Sequence, residues 1–285
     1  MGKNIEKINI YGVMMAILSL LLGFMLFSFK ITTVVASDAA TVASPYVYNF
    51  NSEGALNEIG SMSQSSSPYW WVDSGAYLEI YSGRGHTNEG NLSTTDPWRL
   101  IYSANNPVDT DNGYHPQNIF RLLTRSKWQN AREEAYFIIT KDNLSSSPNR
   151  DNYNGILLFN RYQDQDNLYY TGIRVDGQVI IKKKQNGNYT TLAYTPNIYP
   201  GTYSRNANPS LLPKNKWIGL RSEVKNNPDG SVNIKLYIDK GWSGVWVLAA
   251  EATDRNNPIT QAGYGGIRTD FMDVTFENFR FSTIF

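Results

Sequence analysis

The sequence contains no cysteine and only two histidines, His86 and His115. Without thiols, the chain forms no disulfide, performs no thiol catalysis and offers no thiolate to a metal ion. Two histidines also disfavour a zinc site, whose usual protein ligands are cysteine and histidine. The formal net charge is only +1, so no overall positive field predicts a nucleic acid partner. Stability is therefore expected to come from a packed core, with bound ions as the remaining aid.

Charged residues are also scarce, at 18%, whereas aromatic residues make up 13% and include 19 tyrosines and 7 tryptophans. This composition is typical of β-sheet proteins with aromatic-lined surfaces. After residue 36 no stretch shows convincing helical periodicity, and roughly 14 short strand-like segments follow one another between turn signals. The sequence therefore predicts an all-β fold, in the form of a single two-sheet sandwich.

The N-terminal segment has the pattern of an export signal. Lys3 and Lys7 precede an apolar run, Val13–Phe29, and residues 34–36 (Val-Val-Ala) have the small-residue spacing of a signal-peptidase site. The run is longer than a usual signal core and near the lower limit for a membrane span. We therefore predict a cleaved signal peptide, with an uncleaved membrane anchor as the alternative. In both cases the body of the protein is exported.

The predicted organisation has three parts: a signal peptide or membrane anchor at residues 1–36, a polar linker at 37–44 and a β-sandwich domain at 45–285. The body of the protein would lie outside the cytoplasm, either secreted or held at the cell surface. Only an uncleaved N-terminal segment would attach it to a membrane.

The segment Leu168–Tyr194 predicts a three-stranded antiparallel meander. It holds two turn dipeptides, Asp176-Gly177 and Asn186-Gly187, between runs rich in Ile, Val, Thr and Tyr. Both dipeptides suit the type I′ turn, whose two central residues need φ > 0. Two-residue loops also set the register. They place the following residues opposite one another: Ile173 and Ile180, Thr171 and Lys182, Tyr169 and Lys184, Lys184 and Tyr189, Lys182 and Thr191, Ile180 and Ala193.

In this register Tyr169, Lys182, Lys184 and Tyr189 share one face of the meander. Tyrosine rings can stack on sugar rings, and lysine ammonium groups can pair with uronate or sulfate. This face is therefore the first candidate for ligand binding. The alternative is an ordinary solvated sheet face with cross-strand Tyr–Lys packing.

Two further ligand-binding candidates lie before the meander. Arg121 shares an apolar strand face with Ile119 and Leu123, so it either lines a groove or forms a structural ion pair. Trp98 is an aromatic candidate in a short predicted strand, Trp98–Tyr102, inside a long region rich in Gly, Asn, Asp, Ser and Pro. A loop region of that length is usually functional or ion-bound.

Several segments resemble the concanavalin A-like, or laminin-G-like, jelly-roll superfamily. Leu168–Tyr194 is similar to the central meander of such domains. Trp217–Lys225 with Val232–Asp239 looks like their W-x-x-L-R-x-x-V hairpin, and Gly265–Arg268 with Val274–Phe281 looks like their closing strands. The resemblance implies a two-sheet antiparallel jelly roll. It does not choose an activity, because the superfamily includes lectins, carbohydrate-binding modules, glycoside hydrolases and polysaccharide lyases.

Two local features of these segments carry structural predictions. In the last strand the apolar positions change phase, which indicates a β-bulge near Glu277 and Asn278. Trp217, at the start of the hairpin motif, is expected in the core.

Neither enzyme pattern of the superfamily is complete. The retaining glucanases carry E-x-D-x-E on one strand, so that two carboxylates share a face, and this sequence has no such motif. The residues at 221–224 (Arg-Ser-Glu-Val) look like the R-[ST]-E-[LV] strand of alginate-lyase-like jelly rolls, but no Q-x-H strand follows them. We therefore interpret that match as coincidental.

If the chain is a lyase, four residues could supply the chemistry. His115 or Tyr169 would abstract the proton α to the carboxyl group, and Arg121 or Lys182 would stabilise the developing charge. The alternative for His115 is a plain surface residue in a loop. The residues therefore allow an enzyme without requiring one.

Clustered oxygen ligands make structural calcium the one cofactor to consider. Asp109 and Asp111 lie in the segment Asp109–Gly113, and carboxylates are ligands that Ca²⁺ prefers. The segment does not complete an EF-hand loop, since no Glu lies at the twelfth position. Asx-rich turns are also common without metal, so the calcium prediction is the weaker of the two interpretations.

Three functional hypotheses follow. The first is an exported jelly-roll domain that binds a polysaccharide or surface glycan, since the chain combines a sandwich pattern with many aromatic residues and lacks the glucanase motif. The second is a polysaccharide-degrading enzyme of the same fold, a lyase rather than a hydrolase. The third is a cell-surface adhesion or assembly domain with a protein partner.

Overall fold

The computed structural model describes residues 35–285, so the predicted signal or anchor segment lies outside the described residues except for its last two positions. No helix in this part of the chain has the length and hydropathy needed to cross a membrane. Two short 3-10 helices, at Met62–Gln64 and Pro116–Asn118, and one α-helix, α1 at Pro97–Asn105, accompany the strands.

The sixteen strands of the described residues are β1 Tyr46–Tyr48, β2 Gly54–Asn57, β3 Trp70–Ser74, β4 Tyr77–Tyr81, β5 Arg84–Thr87, β6 Ile119–Trp128, β7 Ala131–Asp142, β8 Gly155–Asp164, β9 Asn167–Arg174, β10 Val179–Gln185, β11 Asn188–Thr195, β12 Trp217–Asn226, β13 Val232–Lys240, β14 Val247–Asp254, β15 Gly263–Asp270 and β16 Met272–Thr283.

These strands form two antiparallel sheets. The nine-stranded sheet has the order β14-β13-β12-β7-β16-β5-β4-β2, with β1 paired to β16. The seven-stranded sheet has the order β11-β10-β9-β8-β15-β6-β3. In both sheets, strands that are distant in sequence lie side by side, as β7 does with β16 and β8 with β15. The predicted all-β, two-sheet antiparallel jelly-roll sandwich is confirmed.

The main hydrophobic core lies between the two sheets. Phe137 and Phe276 of the nine-stranded sheet and Phe120 and Ile156 of the seven-stranded sheet all belong to it and are fully buried. Alternation along each strand brings these side chains to the inner faces. Burial of each one contributes about 1.5–3 kcal/mol, so the cysteine-free chain has a large core to stabilise it.

A second apolar cluster lies on the outer face of the seven-stranded sheet. Its buried members are Leu123, Leu157, Phe159, Tyr162, Leu168, Tyr170 and Ile180. Antiparallel sheets commonly expose one face to water and show polar residues there. The outer face of this sheet departs from that pattern, and the candidate site described below is built on it.

The region around residue 100 forms a helix where the sequence predicted a strand. Asp96 is the N-cap of α1, since its Oδ1 accepts a hydrogen bond from Trp98 N at 2.8 Å, and Pro97 takes the first helical position, where its missing N–H costs nothing. Tyr102 faces inward, and its hydroxyl donates to Glu58 Oε2 and accepts from Gly75 N. The predicted strand Trp98–Tyr102 was therefore wrong, although the Asp-Pro pair was a visible helix-start signal.

The last strand carries the bulge that its sequence predicted. The pairing of β16 with β7 shifts register between Glu277 and Arg280, and Asn278 has φ 55. An extra residue of this kind re-phases the strand, so that Phe279 and Phe281 both reach the core. Two short strands, β2 and β5, were not predicted.

The second turn of the meander has the predicted geometry. Asn186 has φ 49 and Gly187 has φ 80, as the type I′ turn requires. Lys184 lies opposite Tyr189 and Lys182 opposite Thr191, as predicted. Beyond Lys182 a bulge shifts the register by one residue, which overturns the predicted pairing of Ile180 with Ala193.

The first turn is one residue longer than predicted, and this changes the meander. Arg174 N donates to Gln178 O at 2.8 Å and Gly177 N donates to Arg174 O at 2.9 Å, so the loop contains Val175, Asp176 and Gly177. Only Gly177 has positive φ, at 76. This is the arrangement of a three-residue hairpin loop with glycine in the left-handed position.

The longer loop moves the pairing of β9 with β10 by one residue. Lys182 lies opposite Tyr170, and Lys183 lies opposite Tyr169. Because side chains alternate along a strand, a one-residue slip exchanges the two faces. The predicted placement of Tyr169 beside Lys182 and Lys184 was therefore wrong, and Tyr170 occupies that face.

Candidate functional site

The outer face of the seven-stranded sheet holds two neighbouring depressions. The larger has a volume of about 440 Å³ and the smaller about 40 Å³. Tyr170, Tyr189 and Arg268 line both, so the depressions form one groove. We call it the tyrosine groove and define it by the residues that carry its chemistry: Tyr153, Leu157, Tyr170, Lys182, Tyr189 and Arg268.

Strand register explains how residues distant in sequence meet in the tyrosine groove. Tyr170 lies between Lys182 of β10 and Phe159 of β8. Two residues before Phe159 on the same strand, Leu157 lies opposite Arg268 of β15. Tyr153 comes from the loop before β8 and is 57% exposed, and Tyr189 comes from edge strand β11. Neighbouring strands therefore supply an apolar floor and loops supply its rim.

Cations lie over the tyrosine rings of the groove. Lys182 Nζ is 4.8 Å from the ring centroid of Tyr153 and 5.7 Å from that of Tyr189. Lys184 Nζ is 5.1 Å from the Tyr189 centroid, and Arg174 Cζ is 4.3 Å from the Tyr153 centroid. At these distances the ring faces attract the cations. The predicted association of Lys182, Lys184 and Tyr189 is thus present in the structure.

Arg121 lines the smaller depression and also forms an ion pair, so both alternatives for it hold. Its Nε lies 2.9 Å from Asp73 Oδ2 and donates to Ser74 Oγ at 2.9 Å. It sits directly opposite Arg268, which pairs with Asp270 Oδ1 at 2.9 Å. Two facing arginines repel each other, and the two carboxylates offset that repulsion.

Tyr169 belongs to the core and not to the groove. It is fully buried, its hydroxyl donates to Asp254 Oδ2 at 2.6 Å, and it accepts from Ile259 N at 2.9 Å. Lys183 Nζ lies 2.9 Å from the same carboxylate oxygen. Burial, followed by the bond to Asp254, raises the pKa of Tyr169. These contacts give Tyr169 a structural role in joining β9 to the chain after β14.

The structure does not bring the two predicted catalytic residues, His115 and Tyr169, together. The His115 ring lies with Nδ1 2.8 Å from Asp111 Oδ2 and Nε2 2.7 Å from Asn91 Oδ1. Its hydrogen-bond partners include none of the partners of Tyr169. With both ring nitrogens engaged, His115 connects two loops.

The carboxylates proposed for calcium are already hydrogen-bonded. Asp109 Oδ1 accepts from Ser147 Oγ at 2.6 Å and from Asn149 Nδ2 at 2.9 Å. Asp111 Oδ1 accepts from Ser145 Oγ at 2.6 Å. Donors that point at these oxygens do not fit a cation, which needs the same lone pairs. Residues 35–285 also contain no group of three or more His, Cys, Asp or Glu side chains arranged to hold a metal.

Two tryptophans lie outside the places expected of them. Trp98 is on α1, where its Nε1 lies 3.3 Å from Asn57 Oδ1, and it does not line the tyrosine groove. Trp217 is half-buried and not in the core. Its ring meets that of Trp242 edge-on at 4.6 Å, and Trp242 in turn stacks on Tyr136 at 4.2 Å. Trp217, Trp242 and Tyr136 thus form an aromatic cluster that Trp98 does not join.

Four residues of the groove were not predicted from the sequence: Tyr153, Leu157, Tyr170 and Arg268. Tyr170 was assigned to the opposite face by the one-residue register error. Arg268 was noted only as part of a closing-strand resemblance, and no pattern marked Tyr153 in its polar loop. A three-residue loop at Asp176-Gly177 was the one sequence alternative that would have found Tyr170.

Comparison with known proteins carries no activity over to this chain. No family model and no curated relative matches the chain. Among solved structures, the carbohydrate-binding module CBM66 of Bacillus subtilis is 17% identical, with a TM-score of 0.41, over 58% of this chain and 82% of that one. A Bacillus licheniformis β-glucanase is 11% identical, with a TM-score of 0.46, over 86% of this chain and 100% of that one.

A third similar structure is the exoplasmic/lumenal domain of VIP36 bound to Ca²⁺ and Man3GlcNAc. It is 9% identical, with a TM-score of 0.44, over 81% of this chain and 89% of that one. At identities and TM-scores this low, the ligands and the activity of the neighbours say nothing about the tyrosine groove.

Proposed function

We propose that this chain is an exported carbohydrate-binding domain and that the tyrosine groove binds a polysaccharide. The observation that carries the proposal is the pair of Tyr153 and Tyr189, which are 57% and 54% exposed beside a depression of about 440 Å³. Exposed tyrosines offer an apolar ring to the C–H face of a sugar and a hydroxyl to its polar edge. Ligand sites generally combine such apolar surface with a few polar groups.

Binding accounts for the groove better than β-elimination does. Tyr170 is the buried tyrosine of the groove, and burial raises its pKa, which opposes the phenolate that proton abstraction would need. Of the two predicted bases, Tyr169 is buried in the core, and His115 is held between Asp111 and Asn91. A lyase is nevertheless the alternative, because Lys182 and Arg268 could stabilise developing negative charge. The experiment that tests binding also detects lyase activity.

The test uses the full chain on a panel of neutral and acidic polysaccharides. Pelleting with insoluble polymers measures binding, and ultraviolet absorbance of unsaturated uronates measures cleavage. Tyr189→Ala is expected to weaken binding about threefold to tenfold, since one ring–ring contact is worth about 0.5–1.5 kcal/mol. Tyr81→Ala is the matched control, because Tyr81 is 40% exposed on the nine-stranded sheet.

Each outcome of this experiment decides one point. If no polysaccharide retains the wild-type chain, the proposed function is wrong, and adhesion to a protein becomes the leading hypothesis. Equal binding by Tyr189→Ala and Tyr81→Ala would move the site away from the groove. Rising absorbance on an acidic polymer would make the chain a lyase.

The proposed export and location rest on the N-terminal sequence. If the signal is cleaved after Ala36, mass spectrometry of the protein recovered from outside the cytoplasm will show a chain that begins at Ser37. A chain that retains Lys3 and fractionates with the membrane would support the anchor alternative. Recovery of the intact chain from the cytoplasm alone would contradict export.

A further inference from the structure

Three consecutive lysines on β10 have three different environments. Lys183 is buried, and its Nζ lies 2.9 Å from Asp254 Oδ2. Lys184 Nζ lies 3.0 Å from Asp166 Oδ1. Lys182 Nζ, by contrast, contacts tyrosine rings only, and no residue in the described part of the chain accepts a hydrogen bond from it or forms an ion pair with it. Among the described residues, Lys182 is therefore the lysine of the three without an ion-pair or hydrogen-bond partner.

Lys182 would ordinarily have an acceptor in such a position. Lys182 is half-buried, and its cation–π contacts replace only part of the hydration that burial removes. The carboxylate of Asp151 attracts Lys182, but its Oδ1 accepts from Tyr153 N at 2.7 Å. The ammonium group thus lies in the groove with its N–H groups available to a ligand.

Neighbouring arginines add to the positive charge. Arg174 pairs with Asp176 at 2.5 Å, and Arg268 uses its Nε to pair with Asp270 at 2.9 Å. Neither Nη of Arg268 donates to a residue within 35–285. Burial, and after it the charge of Arg174, lower the pKa of Lys182, whereas Asp151 raises it.

We infer that the tyrosine groove selects an acidic sugar, whose carboxylate or sulfate oxygens accept hydrogen bonds from Lys182 Nζ and from the Nη groups of Arg268. This inference rests on the proposed function, since it names the class of polysaccharide that the groove binds. Hydrogen bonds between ionised partners are about twice as strong as neutral ones. A neutral sugar would stack on Tyr153 and Tyr189 equally well but would leave Lys182 without an ion-pair partner.

The experiment compares a polyuronate with the same polymer after chemical reduction of its carboxyl groups, and adds a sulfated glycan to separate the two anions. The full wild-type chain is expected to bind the polyuronate, the sulfated glycan or both at least about tenfold more tightly than the reduced polymer. Lys182→Met keeps the apolar stem and removes the charge. It is expected to lower affinity for the acidic polymer about tenfold to a hundredfold and to leave affinity for the reduced polymer unchanged.

Lys127→Met is the matched control, because Lys127 also lies over a tyrosine ring of the seven-stranded sheet, with Nζ 4.9 Å from the Tyr264 centroid, but does not line the tyrosine groove. It is expected to change affinity less than about threefold. Lys182→Arg, which keeps the charge, should retain most of the preference. Melting temperatures of all variants show that they are folded.

The outcomes separate the two proposals. Equal wild-type affinity for acidic and reduced polymers, or equal losses in Lys182→Met and Lys127→Met, would overturn the inference and leave polysaccharide binding intact. A wild-type chain that binds none of the polymers would overturn the proposed function and the inference together. Preference for the sulfated glycan alone would assign sulfate as the anion, and preference for the polyuronate alone would assign carboxylate.

Discussion

Lys182 lies directly opposite Tyr170 in the pairing of β9 with β10. This relationship decides which tyrosine reaches the tyrosine groove and which reaches the core. With Tyr170 on the outer face, Tyr169 points inward to Asp254. A pairing shifted by one residue would exchange the two, because alternate residues face opposite sides of a sheet.

The loop that sets this register should be sensitive to substitution at Gly177. Gly177 has φ 76, and a Cβ there would lie 2.0 Å from Tyr199 O. Gly177→Ala is therefore expected to lower the free energy of unfolding by about 1–2 kcal/mol for the left-handed backbone and by a further ~1–3 kcal/mol for the overlap with Tyr199 O. Denaturant unfolding measures this loss.

Gly187→Ala provides the comparison at the second turn. Gly187 has φ 80, but its nearest neighbour to a Cβ is Asp166 Oδ1 at 3.7 Å. Gly187→Ala should therefore lower the free energy of unfolding only by the cost of the left-handed backbone, about 1–2 kcal/mol. Equal losses of free energy of unfolding in the two variants would show that packing against Tyr199 does not hold the first loop.

Tyr169→Phe should lower stability without changing ligand affinity. The hydroxyl of Tyr169 donates a hydrogen bond to Asp254 and accepts one from Ile259 N in the interior. Its removal therefore takes one hydrogen bond from a buried carboxylate and one from a buried N–H. We expect a loss of about 1–3 kcal/mol in the free energy of unfolding. Tyr194→Phe, at a position that is 63% exposed, should leave stability unchanged. Weaker polysaccharide binding by folded Tyr169→Phe would contradict its structural role.

Glu133 should make stability depend on pH. It is buried, its Oε1 accepts from Gly266 N at 2.7 Å, and its Oε2 has no partner among the described residues. Burial raises the pKa of Glu133 well above its ordinary value, against the opposing bond from Gly266. When folding raises the pKa of a carboxyl group, its contribution to the free energy of unfolding is fully present below its unfolded-state pKa, about 4.3. That contribution is lost as pH rises.

The melting temperature of the wild-type chain should therefore fall, relative to Glu133→Gln, as pH rises from about 4 toward neutrality. Glutamine keeps the acceptor for Gly266 N and cannot ionise. Glu251→Gln changes an exposed carboxylate (44% side-chain exposure) and should follow the wild-type profile. Parallel pH profiles for wild type and Glu133→Gln would show that Glu133 does not titrate in this range.

Calcium is expected to have little effect on stability. Asp109 and Asp111 accept hydrogen bonds from Ser147 and Ser145, so a cation would have to displace them. Melting temperatures in millimolar calcium and in chelator should agree within the error of the measurement. A calcium-dependent rise that Asp109→Asn abolishes would restore the calcium site that the sequence predicted.

Much of the fold follows from local sequence alone. The period-2 patterns and the turn residues were enough to predict the two-sheet sandwich, the type I′ turn at Asn186-Gly187 and the bulge near Asn278. These features depend on the backbone preferences of a few neighbouring residues. The helix at Pro97–Asn105 was missed although its start signal is local, so that error was one of interpretation.

The composition of the groove, in contrast, was decided by tertiary structure. The first loop of the meander takes three residues because Val175 is buried in the core and Gly177 packs against Tyr199, and Tyr199 is more than twenty residues away. The dipeptide Asp176-Gly177 accommodates either loop length. A choice between two such similar local conformations is made by distant packing, and here it placed Tyr170 on the same face as Lys182.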